Sequence, residues 1–340
     1  MTLWPTRFLV FCICLIFSVQ VAWADCLKVQ DDPQLEINPT ELQGLQAIGI
    51  DRSLIFASMR ETSVPETNGC WSGASGDFDG QLVSVGLAQW NYGQGSLQPL
   101  LKRYRAKFVS EQLFQAELNR LAPTYGKLLF SRGCLMEPVS AECAATLHTH
   151  QSRPGHVDAD LAAEYNTLFE SLPMRQVQTD TFVRLLGQVR DALAHLYPGQ
   201  HVSPLQVKWA IDSKVQLGFP RVEDASRIRQ RFLGYSAQDR RDALKAMLQW
   251  YSGLANSADQ QGARADAAFN VKQWTCLIDR GVSDEQADLL NLSFIRSRTA
   301  QNKAGLYQAL AFQRRAKIVL GVGSVAKRQD GPRCITDMNG

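Results

Sequence analysis

The stretch that decides the fold and the candidate chemistry runs from Glu61 to Gly95 and reads E-T-S-V-P-E-T-N-G-C-W-S-G-A-S-G-D-F-D-G-Q-L-V-S-V-G-L-A-Q-W-N-Y-G-Q-G. An apolar helical pattern precedes it and is predicted to end at Glu61. The proline and glycines that follow are typical of a long polar loop, and this loop carries Asp77 and Asp79. A short apolar run over 82–87 then predicts a strand or a buried turn.

The rest of the chain is predicted to be almost entirely helical. Apolar residues at helical spacing predict helices over about 110–121, 139–149, 158–171, 177–196, 203–218, 223–232, 236–252, 264–279, 284–295 and 298–319. The predicted fold class is mainly α (α+β), with a small β element near residue 80. Residues 25–340 are predicted to form a single domain, with an N-terminal catalytic lobe (about 25–110) and a helical C-terminal lobe.

The first 24 residues have the pattern of a secretory signal peptide. Arg7 supplies a positive charge, an apolar segment spans 8–21, and Ala22-Trp23-Ala24 fits the small-x-small cleavage rule. Cleavage is therefore expected before Asp25. The protein is predicted to be periplasmic or secreted, with no stable membrane insertion after cleavage; an uncleaved anchor is the alternative.

Six cysteines remain after residue 24, and an even number in an exported chain predicts disulfides. Cys134 and Cys143 are close in sequence and flank a Pro/Glu loop, so they are expected to pair. The remaining four would then form Cys26–Cys70 and Cys276–Cys334 and tie down the two ends of the chain. A metal site is the weaker reading of these cysteines, because no C-x-x-C occurs.

Composition argues against several classes of function. The net charge of +3 is too small to predict a nucleic-acid partner. His148, His150 and His156 form an H-T-H-x5-H cluster, which we interpret as surface histidines rather than a metal site. G-x-S-x-G is absent, so no serine hydrolase is predicted. No cofactor and no metal are expected.

The carboxylates of the opening stretch suit glycoside hydrolysis. Such a reaction needs one carboxyl group that is protonated and another that is ionised. Glu61, at a predicted helix end with apolar surroundings, suits the general acid. Asp79, in a polar loop, suits the base that activates water, and Asp77 is its rival. Both aspartates could also be ordinary turn residues, since each adjoins a glycine.

The same stretch resembles the lysozyme-like superfamily, and most closely the glycoside hydrolase family 46 chitosanases and related bacterial wall hydrolases. Those sequences carry a helix-borne Glu and then a loop Asp in a segment D-G-x-x-x-[ST]-x-G, which here is Asp79 to Gly86. Gly86-Leu87-Ala88-Gln89 also resembles the G-L-x-Q segment of goose-type lysozymes and lytic transglycosylases. The resemblance implies Glu61 as acid, Asp79 as base and Ser84 as the residue that holds the attacking water.

Further residues are candidates for binding a polysaccharide. Gln89, Trp90 and Asn91 follow the apolar run and offer the amide and aromatic groups that suit sugars, although Trp90 could equally belong to the core. The segment Trp209 to Gly218 resembles a D-x-x-V-Q-x-G helix of the same wall hydrolases. This likeness would bring Asp212 and Gln216 near the cleft, unless they form a polar surface stripe. Arg314-Arg315-Ala316-Lys317 is a third, weaker similarity.

The predicted function is an exported, metal-independent glycosidase that cleaves an amino-sugar polymer, most simply peptidoglycan in the manner of a muramidase. Chitosanases commonly have Arg two positions after the Asp, where this chain has Gln81, so chitosan is the second choice of substrate. A non-catalytic peptidoglycan-binding module with a lysozyme-like fold is the alternative from another class.

Overall fold

The computed structural model describes residues 26–77, 80–216, 218–219, 222–257, 261–300, 305–325 and 328–334. The predicted signal peptide (1–24) and the predicted base Asp79 lie outside these residues. Most of the described residues are helical and the strands are few and short, which confirms the mainly α class. The lysozyme-like, two-lobed arrangement stays a prediction.

The described residues form fourteen α-helices. Their bounds are α1 Pro39–Gln46, α2 Arg52–Thr67, α3 Leu97–Arg105, α4 Glu111–Leu121, α5 Gly126–Leu129, α6 Ala141–Thr149, α7 Ala159–Glu170, α8 Leu172–Leu196, α9 Pro204–Gln216, α10 Val222–Leu233, α11 Ala237–Ser257, α12 Gln261–Arg280, α13 Asp284–Ser297 and α14 Leu306–Leu320. Local capping fixes several starts. The Asp51 side chain accepts a hydrogen bond from the Leu54 amide (2.8 Å) at the start of α2.

Within the part of the chain that the structure describes, six short strands pair into three antiparallel hairpins. These are β1 Ser84–Val85 with β2 Trp90–Asn91, β3 Gln151–Arg153 with β4 His156–Val157, and β5 Gly323–Val325 with β6 Arg328–Asp330. The first hairpin is the predicted β element near residue 80. The other two were not predicted, because each has strands of two or three residues and so shows no alternation of polar and apolar residues.

The long helix α8 connects the N-terminal helices with α9 and α10. Its buried residues Met174, Val177, Phe182, Leu186 and Leu193 follow helical spacing, so one stripe of the helix faces the core. It packs against three helices that precede it in the sequence (α1, α3 and α7) and against two that follow it (α9 and α10). One continuous hydrophobic cluster consequently extends from Val29 to Val322.

The N-terminal segment is held along the end of α2. The amide of Val29 donates to the carbonyl of Gly69 (2.8 Å), and the amide of Trp71 donates to the carbonyl of Leu27 (3.0 Å). Arg175 of α8 donates to Asp32 (2.6 Å) and thereby ties the same segment to the central helix. The hydrogen bond from the Gln34 amide and the contact with Arg175 lower the pKa of Asp32.

Three disulfides confirm the predicted pairs. The Cα–Cα distances are 5.8 Å for Cys26–Cys70, 5.3 Å for Cys134–Cys143 and 6.2 Å for Cys276–Cys334. The first closes onto the loop after α2, and the last joins the C-terminal segment to α12. Among the described residues, every helix is either too short or too polar to cross a lipid bilayer.

Several predicted helix bounds are wrong. Helix α2 continues six residues beyond Glu61, through Pro65, to Thr67. Helix α8 starts at Leu172 rather than 177. Helix α14 starts at Leu306 rather than 298, because Gly305 adopts a left-handed conformation (φ 82°) that cannot continue inside a right-handed helix.

We expect the long-loop disulfides to stabilise the fold more than the short one. Chain-entropy arguments assign about 4 kcal/mol to a loop the size of Cys276–Cys334 and about 3 kcal/mol to one the size of Cys134–Cys143. Replacing each pair by serines and measuring denaturant unfolding should therefore show a larger loss for the C276S/C334S variant. An equal or reversed order would contradict this ranking.

Candidate functional site

The loop after α2 begins with a left-handed residue. Asn68 (φ 57°) ends the helix, and its amide donates back to the carbonyl of Val64 (3.1 Å). The hydroxyl of Thr67 donates to the carbonyl of Cys70 (2.7 Å). The loop is therefore folded onto the last turn of α2, so the residues at the end of this helix adjoin the loop that the sequence analysis singled out.

Glu61 differs from its predicted setting. Its side chain is 49% exposed and accepts a hydrogen bond from Lys208 of α9 (3.0 Å). It lies in the middle of α2, six residues before the helix ends. Because the helix continues through Pro65, Glu61 does not lie at the predicted helix end. The expected apolar surroundings are also missing, since the carboxylate is half exposed and contacts a lysine.

A second glutamate, five residues further along α2, lies in a buried ionic cluster. Arg314 of α14 donates through Nη1 to Oε1 of Glu66 (2.6 Å) and through Nε to Asp212 of α9. The exposed fractions are 22% for the Glu66 side chain, 7% for Asp212 and 16% for Arg314. Burial opposes the charge of Arg314, but the two carboxylates prevail and raise its pKa above the usual value. The guanidinium therefore stays charged.

Arg315 supports the same cluster from behind. Its Nε donates to the hydroxyl of Ser213 (3.0 Å), and its Nη1 donates to the carbonyl of Ala311 (3.1 Å). Its Nε is 3.9 Å from Oδ2 of Asp212. Burial lowers the pKa of Arg315 to about 10, which still leaves it charged at neutral pH. Asp212 thus stands between two arginines that are adjacent in sequence.

The ion pairs define a polar seam between α2 and α9. Glu61 pairs with Lys208, and Glu66 is bridged to Asp212 through Arg314. Lys208 and Asp212 are four residues apart and so share one face of α9. Gln216 follows one turn later, and its Oε1 is buried without a hydrogen-bond partner among the described residues. The seam brings Asp212 towards the end of α2, where the loop begins.

Of the two loop aspartates, the structure describes only Asp77. Oδ1 of Asp77 accepts from the amide of Gly80 (2.6 Å), so Asp77 is a turn-forming residue, one of the two roles the sequence allowed. Asp79 lies outside the described residues. Ser84 is buried in β1, and its amide and carbonyl both bond to Ser75 (3.0 and 2.9 Å).

The predicted sugar-binding residues are engaged within the protein. Gln89 accepts from the hydroxyl of Ser75 (2.7 Å) and donates to the carbonyl of Gly73 (2.7 Å). Trp90 is buried in the main hydrophobic cluster. Asn91 is buried as well, and its side chain accepts from the amide of Gln94 (2.7 Å). Gln89 and Asn91 therefore link neighbouring parts of the region between residues 73 and 94.

Comparison with known protein families, with curated proteins and with solved structures finds no match to this chain. The site must therefore be judged on its own contacts.

Within the described residues, no group of three or more His, Cys, Asp or Glu side chains is arranged to hold a metal ion. The predicted histidine cluster is spread over α6 and the β3–β4 hairpin. Nδ1 of His150 lies 3.2 Å from Asp158, and its ring packs edge-on against Tyr125.

Sequence reasoning missed Glu66 and undervalued Arg314. A signal was present, because Glu66 lies in the same helix as Glu61 and two adjacent arginines occur in the middle of α14. What the sequence could not reveal is that these residues meet, since 248 positions separate Glu66 from Arg314.

We expect Arg314→Met to destabilise the protein by about 3–5 kcal/mol, because it leaves two carboxylates with little exposure without their cation. Denaturant unfolding at neutral pH measures this. The matched control is Lys102→Met, which removes an exposed pair with Glu137 (3.1 Å) and should change stability by about 0–1 kcal/mol. Equal effects of the two variants would contradict the role assigned to Arg314.

Proposed function

We propose that the protein is an exported glycoside hydrolase that cleaves an amino-sugar polymer, with peptidoglycan as the first candidate. Glu66 acts as general acid and Asp79 as general base. The observation that carries this proposal is the meeting of Glu66 with Asp212 and Arg314. These two residues belong to the two other segments whose sequences resemble wall hydrolases.

Glu66 meets two requirements of the acid, a position at the helix end and shielding from water, while its neighbours are ionic rather than apolar. It is the second-last residue of α2, adjoins the Gly-rich loop and is largely shielded from solvent. Glu61 is half exposed and lies in the middle of the helix. An acid that protonates a glycosidic oxygen must be shielded from bulk water and aimed at the substrate, which favours Glu66.

Glu66 shares Arg314 with Asp212. Asp212 contacts Arg314 independently of Glu66, so the buried guanidinium keeps a counter-charge when Glu66 takes up a proton. Asp212 in turn lies near Arg315.

The proposed reaction needs one water and no cofactor. Glu66 donates its proton to the glycosidic oxygen as the bond to the anomeric carbon breaks. Water attacks that carbon, and Asp79 accepts the proton that the water loses, with Ser84 as the residue that orients the water. Two carboxylates with water between them give inversion, for which a separation of roughly 6.5–9.5 Å is typical.

The compartment fits this substrate. Three disulfides belong to a protein that folds in an oxidising environment, and the predicted signal peptide would take the chain there. A periplasmic or secreted location brings the protein to the cell wall. Gln81 replaces the Arg common in chitosanases, so peptidoglycan precedes chitosan as the expected substrate.

We expect Glu66→Gln to lower the release of reducing ends from purified peptidoglycan about 10²- to 10⁴-fold, because the amide has no proton to donate. Glu61→Gln is the matched control and should retain activity within about threefold. Activity on chitosan, assayed in parallel, identifies the polymer. The opposite order of the two variants would return the acid role to Glu61. Binding of peptidoglycan by an inactive wild type would favour the wall-binding module.

We expect Asp79→Asn to lower the rate of cleavage about as much as Glu66→Gln does, since it removes the proton acceptor. Asp77→Asn should retain most activity, because an asparagine oxygen can still accept from the Gly80 amide. The anomeric configuration of the first product, followed by NMR, should show inversion. Full activity of the Asp79 variant would overturn the assignment of the base.

A further inference from the structure

Asp77 and Leu82, which lie on either side of Asp79 in the sequence, are both hydrogen-bonded to one side chain from another part of the chain. Oε1 of Gln151, the first residue of β3, accepts from the amide of Asp77 (2.8 Å). Nε2 of the same residue donates to the carbonyl of Leu82 (3.1 Å). Asp77 precedes Asp79 by two residues and Leu82 follows it by three, so the amide of Gln151 bridges the base of this loop.

Neighbouring contacts extend the clamp. The amide of Gly155, in the turn between β3 and β4, donates to the carbonyl of Asp77 (3.0 Å). The amide of Gly93 donates to the carbonyl of Gln81 (3.0 Å). Asp77 and Gln81 are therefore both held through their backbone carbonyls. The β3–β4 hairpin contacts the loop at Asp77.

Glycine at position 76 permits the close approach of the hairpin. A Cβ atom there would lie 2.1 Å from Oε1 of Gln151 and 2.6 Å from the backbone of His156. Nε2 of Gln151 is also 3.4 Å from the carbonyl of Leu147, at the end of α6. The glutamine is thus anchored to a helix while it holds the loop.

We propose that Gln151 is a positioning residue for the water-activating step, acting through Asp77 and Leu82, which flank Asp79 in the sequence. This inference rests on the proposed function, in which Asp79 is the base. The chemistry of the side chain is specific, because a carboxamide presents a donor and an acceptor in one plane. Glutamate keeps the acceptor for Asp77 but loses the donor for Leu82. An error of about 1 Å in the position of a catalytic group can reduce the rate about 100-fold.

The chain offers a close control for this residue. Gln176 of α8 also bonds one backbone segment with both ends of its amide, accepting from the Glu36 amide (2.7 Å) and donating to the Glu36 carbonyl (2.7 Å). It belongs to none of the residues assigned to the reaction. Gln176→Ala therefore removes a similar pair of hydrogen bonds at a remote place.

The experiment compares the wild type, Gln151→Ala, Gln151→Glu and Gln176→Ala of the mature chain on the polymer that the wild type cleaves. We expect both Gln151 variants to lower kcat about 10- to 100-fold with KM within about twofold. Gln176→Ala should keep both constants. Adding Gln151→Ala to Asp79→Ala should cause no further loss, because the two residues act on one step. Amide hydrogen exchange of the peptide spanning 74–83 should accelerate in the Gln151 variants alone.

Each outcome bears on a different claim. If the wild type cleaves the polymer and Gln151→Ala keeps its kcat, the positioning role is wrong and the proposed function stands. A further loss in the Asp79→Ala background also contradicts the role, because Gln151 would then act elsewhere. If the wild type cleaves neither polymer, the proposed function and this role of Gln151 fail together. Hydrogen exchange still decides whether Gln151 holds the loop.

Discussion

The arrangement of α2, α9 and α14 depends on one buried guanidinium. Arg314 reaches Glu66 on α2 and Asp212 on α9, and so joins three helices that are far apart in sequence. A buried ion pair is a weak source of net stability, because desolvation offsets most of the attraction, but the loss of one partner is severe. Such a cluster therefore fixes geometry more than it adds free energy. It specifies which face of α2 meets α9, and it sets the direction of the glutamate at the end of α2.

Amide side chains do for the loops what a larger sheet would otherwise do. With strands of only two or three residues, most loop carbonyls and amides lack ladder partners, and buried backbone groups need one. Gln89 holds Gly73, Gln151 holds Asp77 and Leu82, and the fully buried Gln178 donates to the carbonyl of Phe169 and accepts from the Leu87 amide. Each carboxamide supplies both a donor and an acceptor, so one residue can link two segments. The region after α2 is consequently ordered by side chains from α6–β3, α8 and the loop itself.

The parts of this organisation that depend on local sequence were predictable. Helix periodicity, the β element near residue 80 and the Cys134–Cys143 pair all follow from neighbouring residues, whereas Cys26–Cys70 and Cys276–Cys334 are one of three ways to pair the other four cysteines. The end of α2 was not predictable, because Pro65 and the glycines beyond it are typical of a loop that begins at Glu61. Glu66 was missed for the same reason: its partner lies 248 residues away, and no local pattern records a contact at that distance. The short hairpins escaped detection because strands of two or three residues carry no periodic signal.

The continuation of α2 beyond Pro65 shows that tertiary contacts outweigh the helix-breaking effect of proline here. Proline has no N–H to donate to the carbonyl of Glu61, and inside a helix it costs about 3 kcal/mol. The last turn nevertheless remains helical, with Thr67 buried and bonded to Ser63 and Cys70 and with Glu66 held by Arg314. Fraying of this turn would break these contacts together and would take one carboxylate away from the buried Arg314, which is costly once the charges are buried. Tertiary contacts therefore decide where this helix ends. The same contacts select Glu66, rather than the more exposed Glu61, as the carboxylate that borders the Gly-rich loop.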